Sequence, residues 1–202
     1  MYQLEVFQNR TTVKEYIRDY TKGEGFLEFC EKNTGYGQIW SCPLYDFNPS
    51  AYGKKYKYLY LFGKRVIFEP AEQNDKEWKK ARAVDREQER AKKKEKEKYI
   101  SEVCLMEKNL LVEQIHGLEK KYPGSITLPA GSCHVCSRCS RTEGAGCRYS
   151  DEIRFFIESL GGSIGGTAGE LLGIELQWMK QQPPGYYTLI EGLFSDDPSV
   201  EI

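Results

Sequence analysis

Tyr56-Lys57-Tyr58-Leu59-Tyr60-Leu61-Phe62-Gly63-Lys64-Arg65-Val66-Ile67-Phe68 is the stretch on which the fold turns. Its aromatic and β-branched residues favour extended chain, because such side chains suit a pleated, half-buried surface. Gly63-Lys64 falls between two such runs, Tyr56 to Leu61 and Arg65 to Phe68, and a two-residue step led by glycine is a hairpin signature. A β-hairpin is therefore expected here. Further strands are expected at Ser125 to Leu128, Ile174 to Trp178 and Tyr186 to Leu193, the last two separated by a Gln-Gln-Pro-Pro-Gly turn.

Helices frame these strands. Thr12 with Glu15 makes a capping box, and Val13, Tyr16, Ile17 and Tyr20 recur at helical spacing, so a helix is expected near residues 12–20. A second short helix carries Phe26, Leu27, Phe29 and Cys30, followed by a loop rich in glycine and aromatics from Thr34 to Pro43. Residues 74–121 form a long helical excursion, with no glycine or proline before Gly117. Its stretch from Asp85 to Lys98 has seven positive and five negative side chains among fourteen residues. Interleaved acids would repel phosphate, which argues against nucleic acid and for a solvated arm or partner surface. The second half, through Ile100, Val103, Met106, Leu110, Leu111, Ile115 and Leu118, presents one apolar face to a core. Cys104 is expected in that core. Asp151 to Leu160, ended by Gly161-Gly162, and a helix opened by Thr167 with Glu170 complete the series. The fold class is α+β, a largely antiparallel sheet with flanking helices, in one domain spanning residues 1–202.

Composition narrows the function. The 202 residues carry 29 Lys and Arg against 30 Asp and Glu, a net charge of −1, so no global field selects a nucleic acid or an anionic membrane. No apolar run approaches the roughly 18 residues of a spanning helix. The N-terminus lacks the basic start and apolar core of a secretory signal. The expectation is a cytoplasmic protein, and in a reducing compartment seven cysteines are read as ligands, reactive thiols or core residues rather than disulfides.

Cys133, Cys136, Cys139 and Cys147 give the spacing C-x2-C-x2-C-x7-C within a cysteine-rich loop over residues 131–150. Zinc usually takes two separated C-x2-C pairs, whereas three evenly spaced cysteines can each meet a separate iron of a cuboidal 4Fe–4S cluster. The spacing favours an iron–sulfur cluster, with zinc as the alternative. Arg138, Arg141 and Arg148 could offset the negative charge of such a centre, or face solvent. His134 reads as a spacer more readily than as a ligand, and His116 as a satisfied helix residue. Cys30 and Cys42 are possible additional thiols, equally compatible with packing in an aromatic loop. The glycine-rich run from Gly161 to Gly166 reads as a turn rather than an anion cradle, and no P-loop or dinucleotide-binding motif is present.

Leu128-Pro129-Ala130-Gly131-Ser132-Cys133, the following cysteines, Cys147-Arg148, Arg154, Leu160-Gly161-Gly162, Thr167-Ala168 and Leu172 to Trp178 resemble a family of prokaryotic proteins, common in anaerobes, known only as predicted metal-binding proteins of domain of unknown function 2284. Phe26 to Cys30, Tyr36-Gly37, Trp40 to Pro43 and Tyr45 to Phe47 resemble its other block. Asn33 stands where the family tends to carry another cysteine, Leu44 where it has a second proline, and Ser150 where a proline follows the last cysteine. The resemblance implies metal binding without a reaction. The leading expectation is an iron–sulfur protein acting in electron transfer, or as a redox accessory to a partner protein. One rival is an enzyme using an open-site cluster with Cys30 or Cys42. The other is a zinc-stabilised interaction module.

Overall fold

The computed structural model describes residues 1–21, 30–31, 35–42, 44–68, 86–133, 135–177 and 185–201. Tyr58–Phe68 is not a hairpin but one continuous strand, β2, with antiparallel neighbours on both sides. Gly63 has no positive φ and makes no turn. It is a notch: a Cβ there would stand 2.7 Å from Ile174 Cδ1 and 3.1 Å from Leu172 Cδ1. Glycine at this position permits a close crossing of chain over the sheet centre.

The outer neighbour is Tyr2–Thr12, β1, which pairs in register from Tyr2 opposite Phe68 to Thr12 opposite Tyr58. Its mixed composition hides it in the sequence, as suits an edge strand exposed over most of its length. On the other side lies Tyr186–Ser195, β4, and beyond it the short Ile126–Leu128, β3. The sheet order β1-β2-β4-β3 is antiparallel throughout, and the α+β class holds.

Helix α1, Val13–Tyr20, starts on the expected capping box, with Thr12 Oγ1 accepting from Glu15 N and Glu15 reaching back to Thr12 N. Helix α2, Arg86–Lys121, is the described part of the long excursion, whose residues 74–85 lie outside the described ones. The sheet separates two cores. Leu59, Leu61, Ile190 and Phe194 face α1 and the later irregular chain, whereas Tyr60, Phe62, Val66 and Leu193 face α2. Full burial of side chains such as Ile115 and Leu193 stabilises by about 1.5–3 kcal/mol each.

The docking face of α2 differs from the expected one. Ile100, Val103, Leu111, Ile115 and Leu118 are buried, but Met106 and Leu110 are 44 and 49% exposed. Glu107 takes the core position between Val103 and Leu111. Its carboxylate meets Lys64 Nζ at 3.0 Å and accepts from Tyr2 OH at 2.7 Å, so the buried charge is paired. Cys104 packs half-buried against the group formed by Val66, Phe68, Ile100 and Val103. The first half of the helix is solvated as expected, from Arg90 to Tyr99.

Three other expectations give way. Asp151 to Leu160 is no helix, only 3-10 turns at Ser150–Glu152 and Glu158–Leu160. Ser159 Oγ there both accepts from Phe156 N and donates to Phe156 O, taking backbone groups a helix would need. Gly161, with φ 90°, does end the segment. The next helical piece, α3 at Ile164–Gly166, is capped by Ser163 rather than Thr167, and runs into a π-helical turn at Thr167–Leu171. Thr167 is fully buried against Tyr16 OH, at 2.6 Å. Residues 174–177 form no strand, because they pass over Gly63 instead of joining an edge. The expected helix over Phe26 to Phe29, Trp178 and most of the Gln-Gln-Pro-Pro-Gly turn lie outside the described residues. Among the described residues no helix is long and apolar enough to cross a membrane.

Candidate metal centre

Strand β3 delivers the chain to Pro129, and the cysteine loop begins two residues later. Both ends of the loop are tied to α2. At the start, Lys108 Nζ donates to Ser132 O at 2.6 Å. Past its end, Arg154 forms a two-pronged pair with Glu119, whose carboxylate also accepts from Thr127 N at 2.8 Å. Burial pushes Glu119 upward, yet the hydrogen bonds from Arg154 and Thr127 outweigh it and hold the carboxyl below the usual range. The pair thus stays charged at neutral pH.

Between these ties the loop folds on itself. Ser140 Oγ donates to Gly146 O at 2.7 Å, Thr142 Oγ1 to Cys139 O at 2.7 Å, and Arg148 Nη1 to Arg138 O at 2.9 Å. Gly144, with φ 71°, closes the 3-10 turn Ser140–Glu143 in the left-handed conformation that glycine tolerates.

The segment from Gly35 to Cys42 packs against this loop as a second wall. Cys133 N donates to Ser41 Oγ at 3.2 Å, Trp40 Nε1 to Ala145 O at 3.2 Å, and Arg141 Nε to Gly37 O at 2.9 Å. The Arg141 guanidinium also lies 4.4 Å from the Trp40 ring centroid, a cation–π contact that clamps the walls together. Ser41 and Trp40 thus shape the site, although neither carries a chemical signature in the sequence.

Cys133, Cys136, Cys139 and Cys147 all line one cavity of about 280 Å³, with Trp40 and Ser41 on the opposite wall. All four thiols are free, and Cys147 Sγ accepts from Tyr149 N at 3.4 Å. The sulfurs surround this space without converging on a point: among the described residues, no three Cys, His, Asp or Glu side chains are close enough together to hold one ion. Of the three arginines, Arg141 is turned to Trp40, whereas Arg138 and Arg148 lie on the solvent side near Glu143, at 3.8 and 3.5 Å. His134 lies outside the described residues, and His116 Nδ1 is 3.8 Å from Glu119.

Cys30 and Cys42 are elsewhere. Both are buried, and neither borders the cavity. Burial raises the Cys42 thiol, partly offset by hydrogen bonding with Tyr45 and with Cys30 itself. The two buried cysteines thus stand apart from the four that border the cavity.

An antiparallel sheet and long helix that suspend a four-thiol cavity define an α+β cysteine-loop protein. The chain belongs to the family described as Predicted metal-binding protein (DUF2284), whose model matches residues 17–191. No curated protein and no solved structure matches it.

Proposed function

We propose that the protein holds an iron–sulfur cluster of the 4Fe–4S type through Cys133, Cys136, Cys139 and Cys147, and serves as an electron carrier or redox accessory to a partner protein. One observation carries this reading: four free thiols border the same cavity. The donor set fits. Four cysteine sulfurs are what cuboidal clusters take, and a single zinc with bonds of about 2.3 Å asks for a tighter gathering of sulfur. A bound cluster would supply one-electron transfer.

The chain's own residues supply the setting. The Tyr149 amide directed at Cys147 Sγ stabilises negative charge on that sulfur, as hydrogen bonds to thiolate ligands do. Trp40 and Ile39 give one side an apolar lining. The other side opens outward, with Val135 57% and Tyr149 47% exposed, giving a partner close approach. Cys30 and Cys42 stand outside the wall and are not needed as ligands in this reading.

Anaerobic purification with iron, zinc and sulfide analysis, joined to visible and electron-paramagnetic spectra, tests it. The expected result is equal iron and sulfide, a brown protein, and a reversible one-electron signal. Colourless protein with stoichiometric zinc, or protein that takes up neither metal after reconstitution, overturns it.

A further inference from the structure

The ribbon from Ala130 to Cys133 has a cavity on each side. Ser132 and Cys133 border the cysteine cavity, while Ala130 and Gly131 border a second one of about 290 Å³, beside β4 past the end of β3. Sites for small organic ligands begin near that size. Ile164, Leu176, Leu189 and Ile190 line much of it, interrupted by the polar Glu158, Gln177 and Thr188.

The polar groups differ in how they are used. Gln177 Oε1 already accepts from Gly185 N at 2.7 Å. The Glu158 carboxyl enters no ion pair among the described residues. Thr188 Oγ1 is buried with no hydrogen-bond partner among them. Buried polar atoms without partners are uncommon and mark places where a ligand can complete the bonding.

Charge is also out of balance. Glu191, fully buried behind the ribbon, accepts from Ala130 N at 3.1 Å through one oxygen and leaves Oε2 unpartnered. Lys108 is the cation that influences both Glu158 and Glu191, and its ammonium is already bonded to Ser132 O. Glu158 thus has no ammonium of its own, and Glu191 feels only Lys108 and the Lys64 already paired with Glu107. Burial raises Glu158 and pushes Glu191 up to about 7, the response of acids short of a counter-ion.

We propose that this cavity binds a small primary ammonium compound. Glu158 is the counter-ion, Ile164 and Leu176 enclose the carbon chain, and Thr188 Oγ1 donates to a hydroxyl or carbonyl oxygen on it. A bare divalent ion suits the cavity poorly, because Glu158 is its one carboxylate and the Gln177 amide oxygen is already engaged by Gly185 N.

Titrating the full chain at neutral pH with n-butylammonium, followed by ligand-observed NMR, tests it, with n-butanol and n-butyrate as neutral and anionic probes of equal length. Saturable binding of the ammonium alone is expected. Glu158→Gln should weaken it at least about tenfold. Leu176→Trp, which fills the space while leaving Glu158 in place, should abolish it. Thr188→Val should spare n-butylammonium and weaken 4-amino-1-butanol several-fold. Equal binding of n-butanol, no binding of the ammonium, or undiminished binding by either Glu158→Gln or Leu176→Trp overturns the proposal.

Discussion

The four loop cysteines and the Cys30–Cys42 pair are the same side chain in opposite settings. The loop thiols face an open cavity from a chain of short turns, whereas the pair is 9 and 6% exposed beneath an aromatic wall. Burial raises the Cys42 thiol and so disfavours its thiolate, the form that ligates metal or reacts, whereas the loop thiols border open space. Environment, more than cysteine count, separates a binding site from packing.

The largest expected effect breaks the comparison outright if it fails. Changing any one of Cys133, Cys136, Cys139 or Cys147 to Ser should remove most bound iron, while Cys42→Ser leaves iron and sulfide contents unchanged, measured on anaerobically reconstituted protein. Equal loss in both groups would erase the distinction. Alkylation sharpens it: in metal-free protein the loop thiols should react with iodoacetamide at least about tenfold faster than Cys42, read by peptide mass spectrometry.

The anchors come next. Glu119→Ala leaves Arg154 without its carboxylate and should cost about 1.5–3 kcal/mol in chemical denaturation, the range for a charge-assisted hydrogen bond. Metal retention should fall with it, since this pair pins the chain past Cys147. Glu191 gives a pH signature. Its folded-state value, up to about 7, lies above that of an unfolded carboxyl, so the native state holds the extra proton between about pH 4.5 and 7. Stability should therefore decline by up to about 3 kcal/mol as pH rises through that window, and Glu191→Gln should flatten the decline. The smallest effect is Ser41→Ala, which removes one hydrogen bond to Cys133 N and should cost about 1 kcal/mol.

Sequence and structure agree where local chemistry decides. The capping box at Thr12, strand β4 and the cysteine spacing were all readable, because each is set by neighbours in the chain. Gly63 was misread for the opposite reason: a glycine that makes a turn and one that admits a crossing chain look alike until Ile174 is seen above it. Glu107 was hidden because its partners, Lys64 and Tyr2, are distant in sequence. Ser41 and Trp40 acquire their places only through long-range contacts with Cys133, Ala145 and Arg141. Of the candidate site, the donors were legible and the wall was not.

Trp40 turns that wall into a built-in lamp. Its indole borders the thiol cavity while its nitrogen and one face are held by Ala145 and Arg141. A visibly absorbing centre a few ångströms away would drain the excited ring by energy transfer, and a colourless ion would not. With the other two tryptophans, Trp78 and Trp178, replaced by Phe, emission from this residue would count filled molecules in a dilute sample, before enough material exists for any magnetic measurement.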